Sequence, residues 1–590
     1  MFDSSMTALE KRFWFLLGAV SISFHLFLIF SGMTPHMISR PVHMALAAPW
    51  TLVFIAKTSH ARWTGIALSA AVIASCGYIV LNESRLSDQY GALQGNLQMA
   101  VAVILLLATL EMARRSISWP LPTVALFALL YGLFGNYIPG EFGYPGLPVR
   151  SFLGTLTIAE GGLWGQLTGV SVEIVSIFVI MGAVLNAGEA GQGFMNMATA
   201  VAGRLKGGAA KVSVLSSALF GSISGSASAN VASTGAITLP AMTKLGYPRA
   251  LAGAVEAVAS SGGQIMPPLM GAGAFVMVEL TGVPYNKIMG AALLPALLYF
   301  LTVWFGINAF TLRYDLRGVA RENLPDKKAV FTTAMFFVVP FAILLERMFI
   351  GGYTPQYAAC VAILAAFLLL FVDINFTPSL SRTLQRLETV GINCGRQIST
   401  IASIIICASI VIGVLGQTGL GVKITSLILS GSGHDLWPAL ILTGIACLVL
   451  GMEVPTTAAY VICVSVAGPA LQELGLQPLV AHLFVFWFAL LSTITPPVCG
   501  AVFIAAGMVG ENWLKIAGCA MTLGIGLYLI PLGMVANPAL IQLFSNPLPA
   551  LLVFGKLAVS LAAISFGMIA PKPVFSRAAL VMAGLVGFFI

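Results

Sequence analysis

Residues 212–243 read VSVLSSALFGSISGSASANVASTGAITLPAMT, a stretch of 32 residues dominated by Ser, Gly, Ala and Thr. Arg204, Lys206 and Lys211 precede it, and Lys244 and Arg249 follow it. Basic flanks on both sides place both ends on one face of a membrane. Two full crossings need about 40 residues and one needs about 20. The spacing therefore predicts a re-entrant hairpin turning near mid-membrane, with Ser224-Gly225-Ser226-Ala227-Ser228-Ala229-Asn230 at its tip. Taken alone, such a run also suits a small-residue helix-packing face.

The surrounding chain is membranous. Of 590 residues, 58% are hydrophobic and only 8% are Asp, Glu, Lys or Arg, too few charges to cover a soluble protein of this size. Apolar runs near the length of a bilayer-crossing helix recur at 13–31, 63–81, 120–138, 329–345, 356–372 and 514–534. Allowing for breaks, roughly fifteen to eighteen membrane segments are expected, hence an all-α integral membrane bundle. The ten-residue alternating strands of a barrel are absent. The first apolar run lacks a small-residue cleavage site, so it is expected to be retained as a span. The net charge of +8 is dispersed over loops, which argues against a nucleic-acid partner. With the N-terminus cytoplasmic, Lys57, Arg62, Arg114, Arg115 and the stretch Arg313–Lys328 fall inside, and Arg40, Arg85 and Arg150 are the exceptions. Eight scattered cysteines show no CxxC pair and no metal-ligand spacing, so they are expected to be packing residues.

Outward from the hairpin the chain divides. Residues 1–139 read as five ordinary apolar helices, a Gly- and Pro-rich connector spans about 139–165, and 536–590 add two weaker apolar segments. Between them, the interrupted regions 170–310 and 391–535 are related. PAMTKLG at 240–246 recurs as PALQELG at 469–475, and PPLMGA at 267–272 as PPVCGA at 496–501, both with an offset of 229 residues. Lys244 and Arg249 correspond to Glu473 and Pro478, and the basic loop 204–211 to the surroundings of His434 and Asp435. One copy has basic flanks and the other has none. The copies are therefore expected to have inverted topology, a signature of secondary transporters. The second tip is Glu453-Val454-Pro455-Thr456-Thr457.

Irregular backbone at membrane depth is tolerated only where it is buried or lines a cavity. Freed carbonyls and hydroxyls at the tips suit a hard cation such as sodium. SSGGQIMPP at 260–268 and LSTITPPV at 491–498 add a proline-broken helix to each half. Broken ends expose helix dipoles, which serve cations at one end and anions at the other. Few ionisable groups lie deep: Glu256 and Glu453, with Glu173, Glu279, Glu346 and His482 nearer helix ends. A buried carboxylate is a functional candidate, although Glu256 could equally brace the broken helix. No nucleophile–base spacing, His-rich cluster or P-loop appears, so neither an enzyme nor an ATPase subunit is expected, and no cofactor.

GRLKGGAAKVSVLSSALFGSISGSASANVASTGAITLPAMTKLGY (203–247), AVEAVASSGGQIMPPLMGAGAFVMVELTGVPY (254–285), LVLGMEVPTTAAYVICVSVAGPALQELG (448–475) and AHLFVFWFALLSTITPPV (481–498) resemble the large permease subunit of TRAP transporters over about 140–535. The preceding helices are similar to the small membrane subunit, fused in one chain. The resemblance implies a bacterial inner-membrane secondary importer, usually sodium-coupled, that takes an organic acid from an extracytoplasmic solute-binding protein. It also implies elevator-type alternating access. Carried over by motif, one cation site would draw on Ser224, Gly225, Ser226, Asn230, Gly262, Gly263 and Pro267. The other would draw on Glu453, Val454, Pro455, Thr456, Thr457, Ser492, Thr493, Thr495 and Pro496. Loops 83–97 and 139–160 would help dock the binding protein. GMEVPTT departs from the family's pattern, which usually has glycine in place of Glu453; an acid there could carry a proton, so Na+ and H+ coupling both stay open. The rival readings are another ion-coupled carboxylate carrier that needs no binding protein, a channel, and a lipid-modifying membrane enzyme.

Overall fold

A computed structural model describes residues 7–32, 34–451, 455–496 and 499–590. The described residues are almost entirely helical, and their one β-feature is an isolated bridge between Val372 and Pro378. Ten helices are long and apolar enough to cross a membrane, from Ala8–Phe30 to Pro547–Ile569. Seven shorter apolar helices accompany them, because Gly and Pro divide many of the apolar runs. The 356–372 run, for example, yields only the helix Pro355–Leu369.

The N-terminal helices wrap the back of one very long helix, Leu380–Thr418. Ala8–Phe30 opens with a capping box between Thr7 and Glu10 and crosses the long helix at Gly18, whose place over the Gly391 carbonyl leaves no room for a side chain. One turn further on, Gly395 meets the Trp50 ring. Trp50 lies in a π-turn, Trp50–Phe54, that extends His36–Pro49. The Arg115 guanidinium donates to the Leu52 and Ala61 carbonyls at 2.6 and 2.8 Å and pairs with Glu111 at 2.6 Å. A buried chain of hydrogen bonds ties the same helices to the permease region: the Ser21 carbonyl, His25, His43 and the Ser171 hydroxyl, at 2.6, 2.8 and 3.0 Å in turn. Arg40, an exception to the charge rule, is 4% exposed and donates to the Trp164 carbonyl, with Glu160 at 3.6 Å. Its charge is consumed inside the protein, so it carries little weight in the orientation count.

The 229-residue offset is visible helix by helix. The first hairpin comprises Gly208–Ser224 and Ala227–Lys244, and the second Leu436–Leu450 and Thr456–Glu473. Each is followed by a broken helix: Arg249–Gly262 then Ala272–Thr281, and Pro478–Leu491 then Gly500–Val509. The first hairpin turns at Gly225 and Ser226, inside the predicted tip. Its arms of 17 and 18 residues measure about 26 and 27 Å at 1.5 Å per residue. Against a ~30 Å hydrocarbon core that is deeper than a mid-membrane turn, because the helix begins at Gly208, ahead of the basic residue taken as its limit. Pro547–Ile569 and Val574–Phe589 form a final helical pair that packs on Tyr285–Tyr314.

Candidate functional site

Both tips and both broken helices open onto one cavity of about 1070 Å³. The first half contributes Ser224, Gly225, Ser226 and Gly271, and the second Pro455, Thr456, Thr457, Ser492 and Thr493. Gly225 has φ +60° and Gly271 φ +72°, and a methyl on Gly225 would press on the Gly271 backbone. That approach lets the first tip lie directly on the break of its own half. Ser226 caps the second arm, its hydroxyl accepting from the Ala229 N–H at 3.3 Å. The Ser224 hydroxyl is buried without a hydrogen-bond partner among the described residues.

Four helices begin at the cavity wall: Ala227, Ala272, Thr456 and Gly500 are each a first residue and each line it. Helix starts carry unsatisfied N–H groups and the positive end of the dipole. Four of them converging on one space favour a negatively charged occupant.

Other residues proposed for the cation sites lie behind this wall. Asn230 is fully buried, its amide donating to the Ser217 carbonyl at 2.9 Å and standing 3.4 Å from that of Ser260. Gly263 backs onto Gly221, and Gly262 onto the Tyr299 ring. The Tyr299 hydroxyl donates to the Val258 carbonyl at 2.7 Å, satisfying one acceptor near the end of the broken helix. Pro267 joins Pro268 through a cis peptide, and the Tyr285 hydroxyl lies 2.7 and 2.9 Å from the Pro268 and Leu269 carbonyls. Thr495 is bound to the Tyr528 hydroxyl at 2.6 Å, and Pro496 follows it. Thr493 joins the halves, donating to the Leu490 carbonyl with the Ser261 hydroxyl 2.8 Å away. Glu453 and Val454 lie outside the described residues.

Glu256 is fully buried and gathers five hydroxyls. Ser213, Ser217 and Ser260 donate at 2.7, 3.3 and 3.2 Å, and Thr234 and Thr238 complete the set. Ser213 and Ser217 stand on one arm of the hairpin, Thr234 and Thr238 on the other, and Ser260 on the broken helix. The carboxylate thus pins three helices at one point. The hydroxyls occur at four-residue spacing on their helices, a sequence signal that the hairpin argument passed over. Of the other acids, Glu346 pairs with Arg347 at 2.5 Å beside a helix end. His482 is buried against the Tyr460 hydroxyl at 2.8 Å.

Across the cavity from the tips, Asn393, Arg396, Gln397 and Thr400 present one polar stripe of the long helix Leu380–Thr418. The sequence reading missed this stripe, although its i, i+3, i+4, i+7 spacing within an apolar helix was legible. No group of three or more His, Cys, Asp or Glu residues that could hold a metal ion occurs among the described residues.

A helical membrane protein whose duplicated hairpins and broken helices enclose one polar cavity is built as a transporter, and nothing in its side-chain chemistry is that of an enzyme. Residues 103–548 match the model of the family described as tripartite ATP-independent periplasmic transporter, DctM component, and the chain belongs to this family. It is a multi-pass inner-membrane protein. The matched region begins inside the helix Gly95–Ile117 and ends inside Pro547–Ile569. Similar proteins include a C4-dicarboxylate TRAP transporter large permease protein of Pseudomonas aeruginosa, 26% identical over 337 residues, 57% of this chain and 77% of the relative. A 2,3-diketo-L-gulonate TRAP transporter large permease protein of Escherichia coli is 26% identical over 353 residues, 57% of this chain and 78% of the relative. An isethionate TRAP transporter permease protein, DctMQ, of Oleidesulfovibrio alaskensis is 24% identical over 403 residues, 66% of this chain and 60% of the relative.

Proposed function

We propose that this chain is the complete membrane part of an ion-coupled importer of a small organic acid, with small-subunit-like helices fused ahead of the large permease. The observation that carries the organic-acid reading is the convergence of four helix starts, at Ala227, Ala272, Thr456 and Gly500, on one cavity. Relatives named for C4-dicarboxylate, diketogulonate and isethionate transport support it. Substrate would arrive from an extracytoplasmic solute-binding protein, the arrangement characteristic of the family. The hairpins and broken helices would move as an elevator against the long helix and the N-terminal helices that clamp it. Ser116, Asn186 and Gly188 line the cavity and lie at helix ends on the Arg114–Arg115 side, so the arrangement described corresponds to an inward-open state under the positive-inside orientation.

The coupling cation, Na+ or H+, would bind at the tips, near Ser224–Ser226 in one half and Thr456–Thr457 in the other. Glu453 remains the proposed proton-carrying group. Glu256, locked behind the cavity wall by five hydroxyls, fits a brace better than a coupling group.

The test is uptake into proteoliposomes supplied with the binding protein, scanning organic acids under imposed sodium and proton gradients. Gradient-driven uptake that needs the binding protein and no ATP is expected. Uptake without the binding protein would favour a stand-alone carboxylate carrier, and ATP dependence would end the reading. Glu453→Gln is expected to alter the pH dependence of uptake; unchanged sodium and pH profiles would remove Glu453 from coupling.

A further inference from the structure

We propose that Arg396 is a specificity-determining residue that holds a second acidic group of the transported molecule, so that the preferred substrate is a small dianion. The proposal rests on the organic-acid reading above and names what that reading leaves open. Among the described residues lining the cavity, Arg396 carries the only charge. It stands on the long helix with Asn393, Gln397 and Thr400, all four lining the space opposite the tips. The other side of the same helical segment is occupied, with Gly391 against Phe15 and Gly395 against Trp50, so the cavity-facing stripe has a rigid backing.

Its position is unusual for a cation. Arg382 and Arg386, earlier on the helix, are paired with Asp373 at 3.1 Å and with Glu189 at 2.5 Å. Arg396 lies ten residues beyond Arg386, about 15 Å further along the helix. It has no ion-pair partner among the described residues. A charge at membrane depth is costly and is retained where it faces a partner or a transport pathway. The guanidinium presents a planar fork that matches a carboxylate or sulfonate in a two-point contact. The helix starts at the tips attract an anion from the opposite wall. Two separated positive features on facing walls suit a ligand with two acidic ends better than one with a single acidic end.

The test uses the purified full chain in detergent and follows its unfolding temperature against ligand concentration. Succinate and 2-oxoglutarate serve as dianions, and lactate and pyruvate as monoanions. The parent is expected to respond to a dianion at least ten-fold lower concentration than to a monoanion. Arg396→Gln is expected to erase that ratio while leaving the monoanion response within about two-fold, which also shows that the variant is folded. Arg396→Lys, keeping the charge without the fork, is expected to fall between. An unchanged ratio in Arg396→Gln, or a parent without dianion preference, overturns the role of Arg396 while the organic-acid reading stands. A parent that responds to none of the four anions overturns both.

Discussion

Where the first hairpin unit has Glu256, the second, 229 residues on, has Val485. The five hydroxyls around Glu256, on Ser213, Ser217, Thr234, Thr238 and Ser260, correspond to Leu442, Ala446, Cys463, Ala467 and Ala489. The same helices, with matching boundaries, are therefore held by a polar hub in one copy and by apolar packing in the other. The second copy keeps one polar tie, from Tyr460 to His482, at positions that are Val231 and Gly253 in the first. In lipid there is little hydrophobic drive for helices to associate, so packing and interhelical hydrogen bonds carry the burden. The two halves divide these means between them. A directional hub fixes the first hairpin to its broken helix, whereas interlocking Phe484, Phe486 and Trp487, all buried, fill the second unit.

The difference can be broken at its strongest point. Glu256→Leu strands five buried hydroxyls and is expected to cost about 3 kcal/mol or more, read as a lowered unfolding temperature in detergent. Val485→Leu, at the equivalent site, is expected to cost under about 1.5 kcal/mol as a modest change of volume. Equal losses would show that the hub contributes nothing beyond packing. Gly225→Ala forces a side chain into a left-handed turn and against Gly271, for about 1–2 kcal/mol from the backbone alone. Its loss of transport is expected to exceed its loss of stability, because the tip forms the cavity wall. Tyr460→Phe removes the single polar tie of the second unit, and a cost of about 0.6 kcal/mol is expected in thermal unfolding. Smallest of all, a double-mutant cycle between Ser261→Ala and Thr493→Ala is expected to give a coupling of about 0.5 kcal/mol, measuring how firmly the two units hold each other.

The sequence disclosed the duplicated frame because its signals are local and positional. Small residues mark the first tip, paired prolines mark the breaks, and two motifs share one offset, so helix boundaries in one half locate those in the other: Ala227 with Thr456, Lys244 with Glu473, Arg249 with Pro478. Side-chain traffic across helices was less legible. Arg40 was counted as an exposed loop charge and is buried on the Trp164 carbonyl, a contact 124 residues away in sequence. Asn230 was assigned to a cation by motif and is committed to backbone carbonyls, since which way a tip residue faces depends on the helix packed behind it. The polar stripe around Arg396 gained meaning only when the opposite wall of the cavity was in place.

The crossing of Gly18 and Gly391 has a consequence for how the protein is made. Two backbones in direct contact leave no slack for a mismatched or late-arriving partner. In a single chain the clamp is always supplied in a one-to-one ratio and is already inserted when the long helix emerges, some 350 residues later in synthesis. Joining the two parts thus converts an assembly step between subunits into a step of ordinary chain folding.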